Sequence, residues 1–256
     1  MNHKIDKEEV RRRFSKHLPA YDSLAVVQQQ IAGKLAGNFI GHSPATFMNV
    51  LEIGCGTGFL TREMLNVFPI EHIYLNDLVP EALPVLAERL RNEGREQELT
   101  LLPGDAERLK FPEQLDLVAS ASTVQWFNNQ PRFFAKTANA LKQGGWLIFN
   151  SFAPENFYQI KTLTGQGLKY PTTHILYKRL KKYFRILETH HESFDQEFDT
   201  PFDVLRHLQQ TGVTATGEFS WTPGRLREFE REYLSRYSYN GKVLLHWDVV
   251  YIIAKK

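Results

Sequence analysis

Nine consecutive residues constrain this chain more than any others: Val50-Leu51-Glu52-Ile53-Gly54-Cys55-Gly56-Thr57-Gly58. A short apolar run ends in glycines at three alternate positions, and an amphipathic pattern from Gly58 to Val67 follows at once. Glycine permits a tight turn and lets a ligand approach the backbone where a Cβ would collide. The run therefore predicts a buried strand, a ligand-cradling loop and a helix. That unit opens a doubly wound α/β sheet, whose ligands sit at the carboxyl ends of the strands.

The rest of the chain continues the pattern. Apolar strands are predicted at His72–Asn76, Leu99–Leu102, Leu115–Ala119 and Gly145–Asn150, with helices at Glu81–Glu93 and Arg132–Leu141 between them. Short buried strands alternating with helices imply a mostly parallel sheet with right-handed crossovers. Ahead of it, Asp6–Lys16 is a charged helical stretch and Ser23–Ile40 an amphipathic helix. After Ser151 the pattern becomes aromatic, with short helices from Glu155 to Leu180. A strand at Glu188–Phe198, helices at Pro201–Gln210 and Thr222–Tyr237, and a final strand at Val243–Ala254 follow. The expected organisation is one domain over 1–256, with a helical cap at 1–42 and a helical insertion at about 155–185 over the site.

The ligand of the glycine loop is constrained by what surrounds it. A dinucleotide fingerprint needs its third glycine three residues after the second, where this chain has Phe59, and a phosphate loop needs a Gly-Lys-Ser/Thr ending that is absent. Glu52, two residues before the first glycine, would repel a pyrophosphate and suits a cationic amino-acid ligand. Cys55 is the sole cysteine, so no internal disulfide forms, and no base is spaced to make it a nucleophile.

Glu-Ile-Gly-Cys-Gly-Thr-Gly resembles the first motif of the class I methyltransferases. That resemblance implies a Rossmann-like, seven-stranded sheet and S-adenosylmethionine as cofactor. It implies cofactor contacts at Glu52, Gly54, Gly56 and Gly58, at Asp77 for the ribose hydroxyls, and at Leu78 against the adenine. Gly104-Asp105-Ala106 resembles the segment around the adenine amino group, which brings in Asp105 and Ala106. Leu115–Ser120 resembles the strand ending beside the reactive methyl, with Ala121 just after it.

Two further strings narrow the resemblance. Phe14-Ser15-Lys16-His17-Leu18-Pro19-Ala20-Tyr21-Asp22, with Ala25 and Gln28 beyond, and Ser120-Ala121-Ser122-Thr123-Val124-Gln125-Trp126 are similar to the malonyl-acyl-carrier-protein O-methyltransferases of early biotin synthesis. The run Pro201–Val213 and the ending with Tyr251 and a lysine tail are similar as well. The reaction so implied is methyl transfer to the free carboxylate of a malonyl thioester, carried by acyl carrier protein or coenzyme A. A carboxylate is ionised near neutral pH, so no acid/base residue is expected. Tyr21, Gln125 and Trp126 are expected in the lid and acceptor wall, and Arg206 is the candidate cation for the acceptor carboxylate. A carrier protein is acidic, and the densest basic runs are Lys178-Arg179-Leu180-Lys181-Lys182 and the group Arg225, Arg227 and Arg231. Neutralising Lys181 and Lys182 is expected to raise KM for the carrier-bound substrate.

Other acceptors, such as a quinone precursor or another carboxylic acid, would share everything through Gly145, and a non-catalytic cofactor-binding protein would share the loop. A net charge of +2 is too small to point to nucleic acid as the main partner. No run of about 18 apolar residues suggests a membrane span. The charged start, Met1–Phe14, is unlike a secretory signal, so a cytoplasmic location is expected. The nine histidines show no metal-ligand spacing.

Overall fold

The computed structural model describes residues 4–212 and 221–256; Val213 of the late helix string and residues 1–3 lie outside them. The chain starts with α1 (Lys7–His17), the one-turn α2 (Tyr21–Leu24) and α3 (Val26–Ile40). Asp6 caps α1, its carboxylate accepting from the amides of Glu8 and Glu9, which satisfies two otherwise orphaned donors. The single helix expected from Ser23 to Ile40 is broken at Ala25, whose φ of −94° and ψ of 42° are not helical.

The alternating part follows as β1 (Phe47–Ile53), α4 (Phe59–Val67), β2 (Ile70–Asp77), α5 (Ala82–Asn92), β3 (Glu98–Pro103), β4 (Leu115–Ser120), α6 (Gln130–Ala140) and β5 (Leu141–Phe152). Then come α7 (Tyr158–Thr164), α8 (Thr173–Leu180), β6 (Arg185–Phe198), α9 (Pro201–Gln210), α10 (Pro223–Tyr237), the two-residue β7 (Ser238–Tyr239) and β8 (Lys242–Lys255). The strand order is β3-β2-β1-β4-β5-β8-β6, with β7 appended to β8. Pairings from β3 through β5 are parallel, and β8 runs antiparallel between β5 and β6. The expected seven strands are present, and β7 is a short addition.

Helices cover both faces. Leu35 and Phe39 of α3, Met64 of α4 and Leu86 of α5 belong to one core, while Phe133 and Phe134 of α6 and Leu176 and Leu180 of α8 belong to the other. All six residues of β4 are buried, as expected of a central parallel strand covered on both sides. Even Asp116 is accommodated there, because its Oδ2 accepts from the amides of Met48 and Asn49 at 2.8 and 2.7 Å. The chain reverses its direction of travel across the sheet between β1 and β4, and their carboxyl ends form the crevice where such sheets bind ligands.

The segment expected as an insertion divides in two. Its first half, α7 and the loop to Tyr170, stays at the carboxyl edge. In its second half, α8 packs Leu176 and Leu180 into the core and crosses to the opposite edge, where β6 begins at Arg185. Arg185 faces Lys255 in register, and Lys255 faces Trp146 near the amino end of β5. From there β5 reaches Phe152, a rise of roughly 20 Å at strand geometry. Lys181 and Lys182 therefore sit at the edge away from the glycine loop.

Candidate active site

The loop after β1 is built by three glycines with φ of +70°, +53° and +93° at Gly54, Gly56 and Gly58. Each is needed for a different reason. A Cβ on Gly54 would stand 2.1 Å from Thr123 Oγ1, so the loop after β4 can close against it only with a bare backbone. On Gly58 a Cβ would stand 2.2 Å from Leu86 Cδ1, so this glycine lets α4 and α5 pack. A Cβ on Gly56 would meet nothing within 4 Å and would project into an open cleft. The loop thus presents unencumbered backbone to whatever lies in the cleft.

That cleft and its open mouth together span about 1000 Å³. Glu52, Gly54, Gly56, Asp77, Leu78, Asp105, Ala106, Ala121, Tyr21 and Trp126 all line it. Gly58 does not, and acts through packing. Asp77, the last residue of β2, is held by two amides: Gly56 N–H donates to its Oδ2 and Val79 N–H to its Oδ1, each at 2.7 Å. Glu52 Oε2 accepts from the Thr61 hydroxyl at 2.6 Å.

Both carboxyls are deeply buried, and neither forms an ion pair among the described residues. Burial, reinforced by the charge of Asp77, pushes Glu52 from its ordinary 4.5 up to about 8. Burial also raises Asp77, against the lowering effect of its amide donors. Lys7 lines the cleft, but its ammonium lies 3.3 Å from Asp105 and 3.0 Å from Glu107 and over the Phe127 ring. Two under-compensated carboxyls beside a bare backbone suit a ligand bearing positive charge and hydroxyl groups, and oppose a pyrophosphate. Cys55 is buried, and that burial pushes its thiol up, so it is not a ready nucleophile.

A second, smaller pocket adjoins the first. Phe14, Tyr21, Gln28, Ser122 and Trp126 line both, and Gln125, Leu168, Tyr170 and Thr211 belong to the second. Aromatic rings run along the boundary: Trp126 meets Phe14 edge-on at 5.9 Å, Phe14 lies 6.1 Å from Tyr21, and Tyr21 stacks at 6.0 Å on Phe59. Gln125 donates to the Ser122 carbonyl at 2.6 Å. Gln28 Oε1, Ser122 Oγ and Gln125 Oε1 are buried without a partner among the described residues, which marks this pocket as a place for a polar ligand group.

Arg206 is not brought to the site. It lies on the solvent face of α9, 63% exposed, and pairs with Asp203 one turn away at 2.8 Å. Indeed, no Lys, Arg or His lines the second pocket among the described residues. His207, on the same helix and packed on Trp247, is pushed down to about 4 by burial and stays neutral. Arg225, Arg227 and Arg231 are exposed on α10 and line neither pocket. No group of three or more potential ligands that could hold a metal occurs among the described residues.

Several site residues escape a reading of the sequence alone. Gln28 stands in the N-terminal string, but nothing in it shows that the side chain enters the cleft. Arg89 lies far away on α5, yet it donates to Asp22 Oδ2 at 2.7 Å and to the Thr57 carbonyl at 3.0 Å. It thereby joins the segment carrying Tyr21 to the glycine loop. Tyr170, whose hydroxyl meets Asn156, comes from the loop between α7 and α8.

Comparison with known proteins agrees with this geometry. Residues 51–149 match the family described as methyltransferase domain. The chain is 39% identical to the malonyl-[acyl-carrier protein] O-methyltransferase of Bacteroides helcogenes, over 98% of this chain and 99% of that one. It is 37% identical to the protein of the same name from Haemophilus ducreyi, over 99% and 98%. In fold it is similar to the N-methyltransferase NodS of Bradyrhizobium japonicum, solved with S-adenosyl-L-homocysteine. The TM-score is 0.55 at 13% identity, covering 89% of this chain and 86% of that one. No described helix is long and apolar enough to cross a membrane. A glycine loop backed by buried carboxyls, a second pocket across an aromatic boundary, and identity along almost the whole length agree: the chain belongs to the malonyl-[acyl-carrier protein] O-methyltransferase family.

Proposed function

We propose that this enzyme transfers a methyl group from S-adenosylmethionine to the free carboxylate of malonyl-acyl-carrier protein, in the cytoplasm, as the opening step of biotin synthesis. The observation that carries the reading is the junction of the two pockets: at Tyr21, Ser122 and Trp126 a carboxyl-lined cleft meets an aromatic pocket that carries a few neutral polar groups and no Lys, Arg or His among the described residues.

The donor, bound in the first cleft, supplies an electrophilic methyl on a sulfonium sulfur. Glu52 favours its positive charge, Gly56 leaves room for it, and Asp77 offers carboxylate oxygens to the ribose hydroxyls. Leu78 and Ala106 provide apolar contact for the base, Asp105 an acceptor for its amino group, and Ala121 a small wall beside the methyl. Gly54 and Gly58 keep the loop in shape.

The acceptor carboxylate enters the second pocket already ionised, so the chain supplies position rather than a base. The Tyr21 and Ser122 hydroxyls and the Gln28 amide nitrogen can donate to it, Gln125 holds the Ser122 carbonyl through its own amide nitrogen, and Trp126 with Phe14 excludes water. Burial raises the Tyr21 hydroxyl well above its ordinary value, so it stays protonated and can donate. Neutral donors suit this chemistry, because an arginine clamp would draw electron density from the attacking oxygen. Arg206 has no part in this arrangement.

The test is methyl transfer from labelled S-adenosylmethionine to malonyl, succinyl and acetyl thioesters, with a quinone precursor alongside. Base-labile label on the malonyl thioesters alone is expected. Label on the quinone precursor, or on acetyl thioester as readily as malonyl, would overturn the assignment.

A further inference from the structure

Charge along the chain is uneven in a way that the chemistry of the site does not explain. Between Glu155 and Glu188 there is no carboxylate at all, while seven cations fall in that stretch. Five of them, from Lys178 to Arg185, ride on α8 and its end toward the edge away from the site. The other two, Lys161 and Lys169, remain at the carboxyl edge. Both are exposed, and neither forms an ion pair among the described residues.

Their placement is tied to the acceptor pocket by short links. Leu168 and Tyr170, which flank Lys169, line that pocket. Lys161 packs beneath the same loop, its Cβ being 3.9 Å from where a Gly167 Cβ would stand. Across the pocket, α1 contributes Phe14 to the wall. Leu168 packs with Val10, Phe14 and Trp126 in one small cluster, so the loop and α1 close on each other at the rim. At the start of α7, the carboxylates close to Tyr158 are Glu155, in the turn before the helix, and Asp195, which is engaged by His246 at 2.8 Å.

We propose that Lys161 and Lys169 form the docking rim for the acidic carrier protein, with the thioester arm entering past Leu168. This inference rests on the acceptor assigned above. An acidic partner complements an unpaired basic rim, and such complementarity sets approach and register. The rim also has the geometry the substrate requires. Lys169 lies between two residues that line the pocket, whereas Lys181 and Lys182 lie at the opposite edge of the sheet, roughly 20 Å along the strand direction.

The experiment compares two substrates of different size, malonyl-carrier protein and malonyl-pantetheine, in three enzymes: wild type, the double variant Lys161→Glu/Lys169→Glu, and the control Lys181→Glu/Lys182→Glu. The rim variant is expected to raise KM for the carrier substrate about tenfold and to flatten its dependence on salt. Its KM for malonyl-pantetheine and its affinity for S-adenosylmethionine should stay within twofold of wild type, and the control should match wild type throughout. An unchanged carrier KM in the rim variant would overturn the proposal, as would an equal rise for both substrates or a larger effect in the control. Failure of the wild type to methylate either thioester would instead defeat the assigned reaction, so the two failures are told apart.

Discussion

The amide of Gly56 donates to the carboxylate of Asp77 across 2.7 Å, which makes the glycine loop after β1 and the acidic end of β2 one rigid unit. The loop is shaped by the same group that would hold the ligand's hydroxyls. Loss of either partner should therefore reach the cofactor before it reaches the fold.

Gly56→Ala and Gly58→Ala separate the two uses of glycine. At Gly56 the new methyl meets no protein atom within 4 Å but occupies the cleft, so cofactor affinity should fall at least about tenfold, with about 1–2 kcal/mol of stability lost to the left-handed backbone. At Gly58 the methyl strikes Leu86, and stability should fall by about 1–3 kcal/mol beyond the backbone cost. Calorimetric titration and denaturant unfolding of both variants check this ordering.

Glu52 should make the ligand-free protein sensitive to pH in a definite direction. Its pKa is about 8 in the folded state against an ordinary 4.5, so folding favours the protonated form. The stabilising contribution is complete below about 4.5, declines as pH rises and is gone above about 8. Glu52→Gln keeps an acceptor for Thr61 and removes the titration. The variant should be more stable than wild type by about 1–3 kcal/mol at pH 8 and lose that margin by pH 4.5. Urea midpoints across that range measure it.

The same group links cofactor affinity to pH. A cationic ligand favours ionised Glu52, so affinity should rise from pH 6 to about 8 and level off above it, with up to about one proton released per ligand bound at the lower end. Titration calorimetry in buffers of different ionisation enthalpy counts that proton. In Glu52→Gln the rise should disappear and affinity should fall at every pH.

Tyr21→Phe should leave the ring contacts with Phe14 and Phe59 in place and remove one donor from the acceptor pocket. The expected result is a loss of about fivefold to tenfold in kcat/KM for the malonyl substrate, close to one hydrogen bond, with cofactor affinity within twofold of wild type. Steady-state kinetics with each substrate varied in turn shows whether the loss falls on the acceptor.

Arg89→Met should loosen the link between Asp22 and the Thr57 carbonyl. Because that link joins the wall of one pocket to the loop of the other, KM should rise for donor and acceptor together, by about threefold or more for each. Initial-rate kinetics on Arg89→Met and Asp22→Asn, with the double variant no worse than the worse single, checks that they act as one unit.

Most of the fold was legible because its signals are local. Strand-glycine-helix at Val50–Gly58 needs only adjacent residues, and the buried strands announce themselves as apolar runs. That Glu52, Asp77 and Asp105 line one cleft was legible for the same reason, since each stands at or just past a strand end. What stayed hidden depends on distant contacts. Nothing near Ala25 in sequence signals its break in the helix. Arg206 suits a carboxylate by its chemistry, but only the packing of α9 shows that it faces water. The basic run at Lys178–Lys182 lies close to the site in sequence, and α8 carries it to the far edge. Arg89 and Gln28 reach the site across long separations that leave no local pattern.

The most direct measurement is the intact mass of malonyl-carrier protein after incubation with this enzyme and methyl-deuterated S-adenosylmethionine. A gain of one trideuteromethyl group in place of one hydrogen per carrier, absent with acetyl-carrier protein, is the result expected of carboxyl methylation in the paired pockets. An unchanged carrier mass alongside measurable cofactor binding would contradict the account and leave only the fold and its donor cleft.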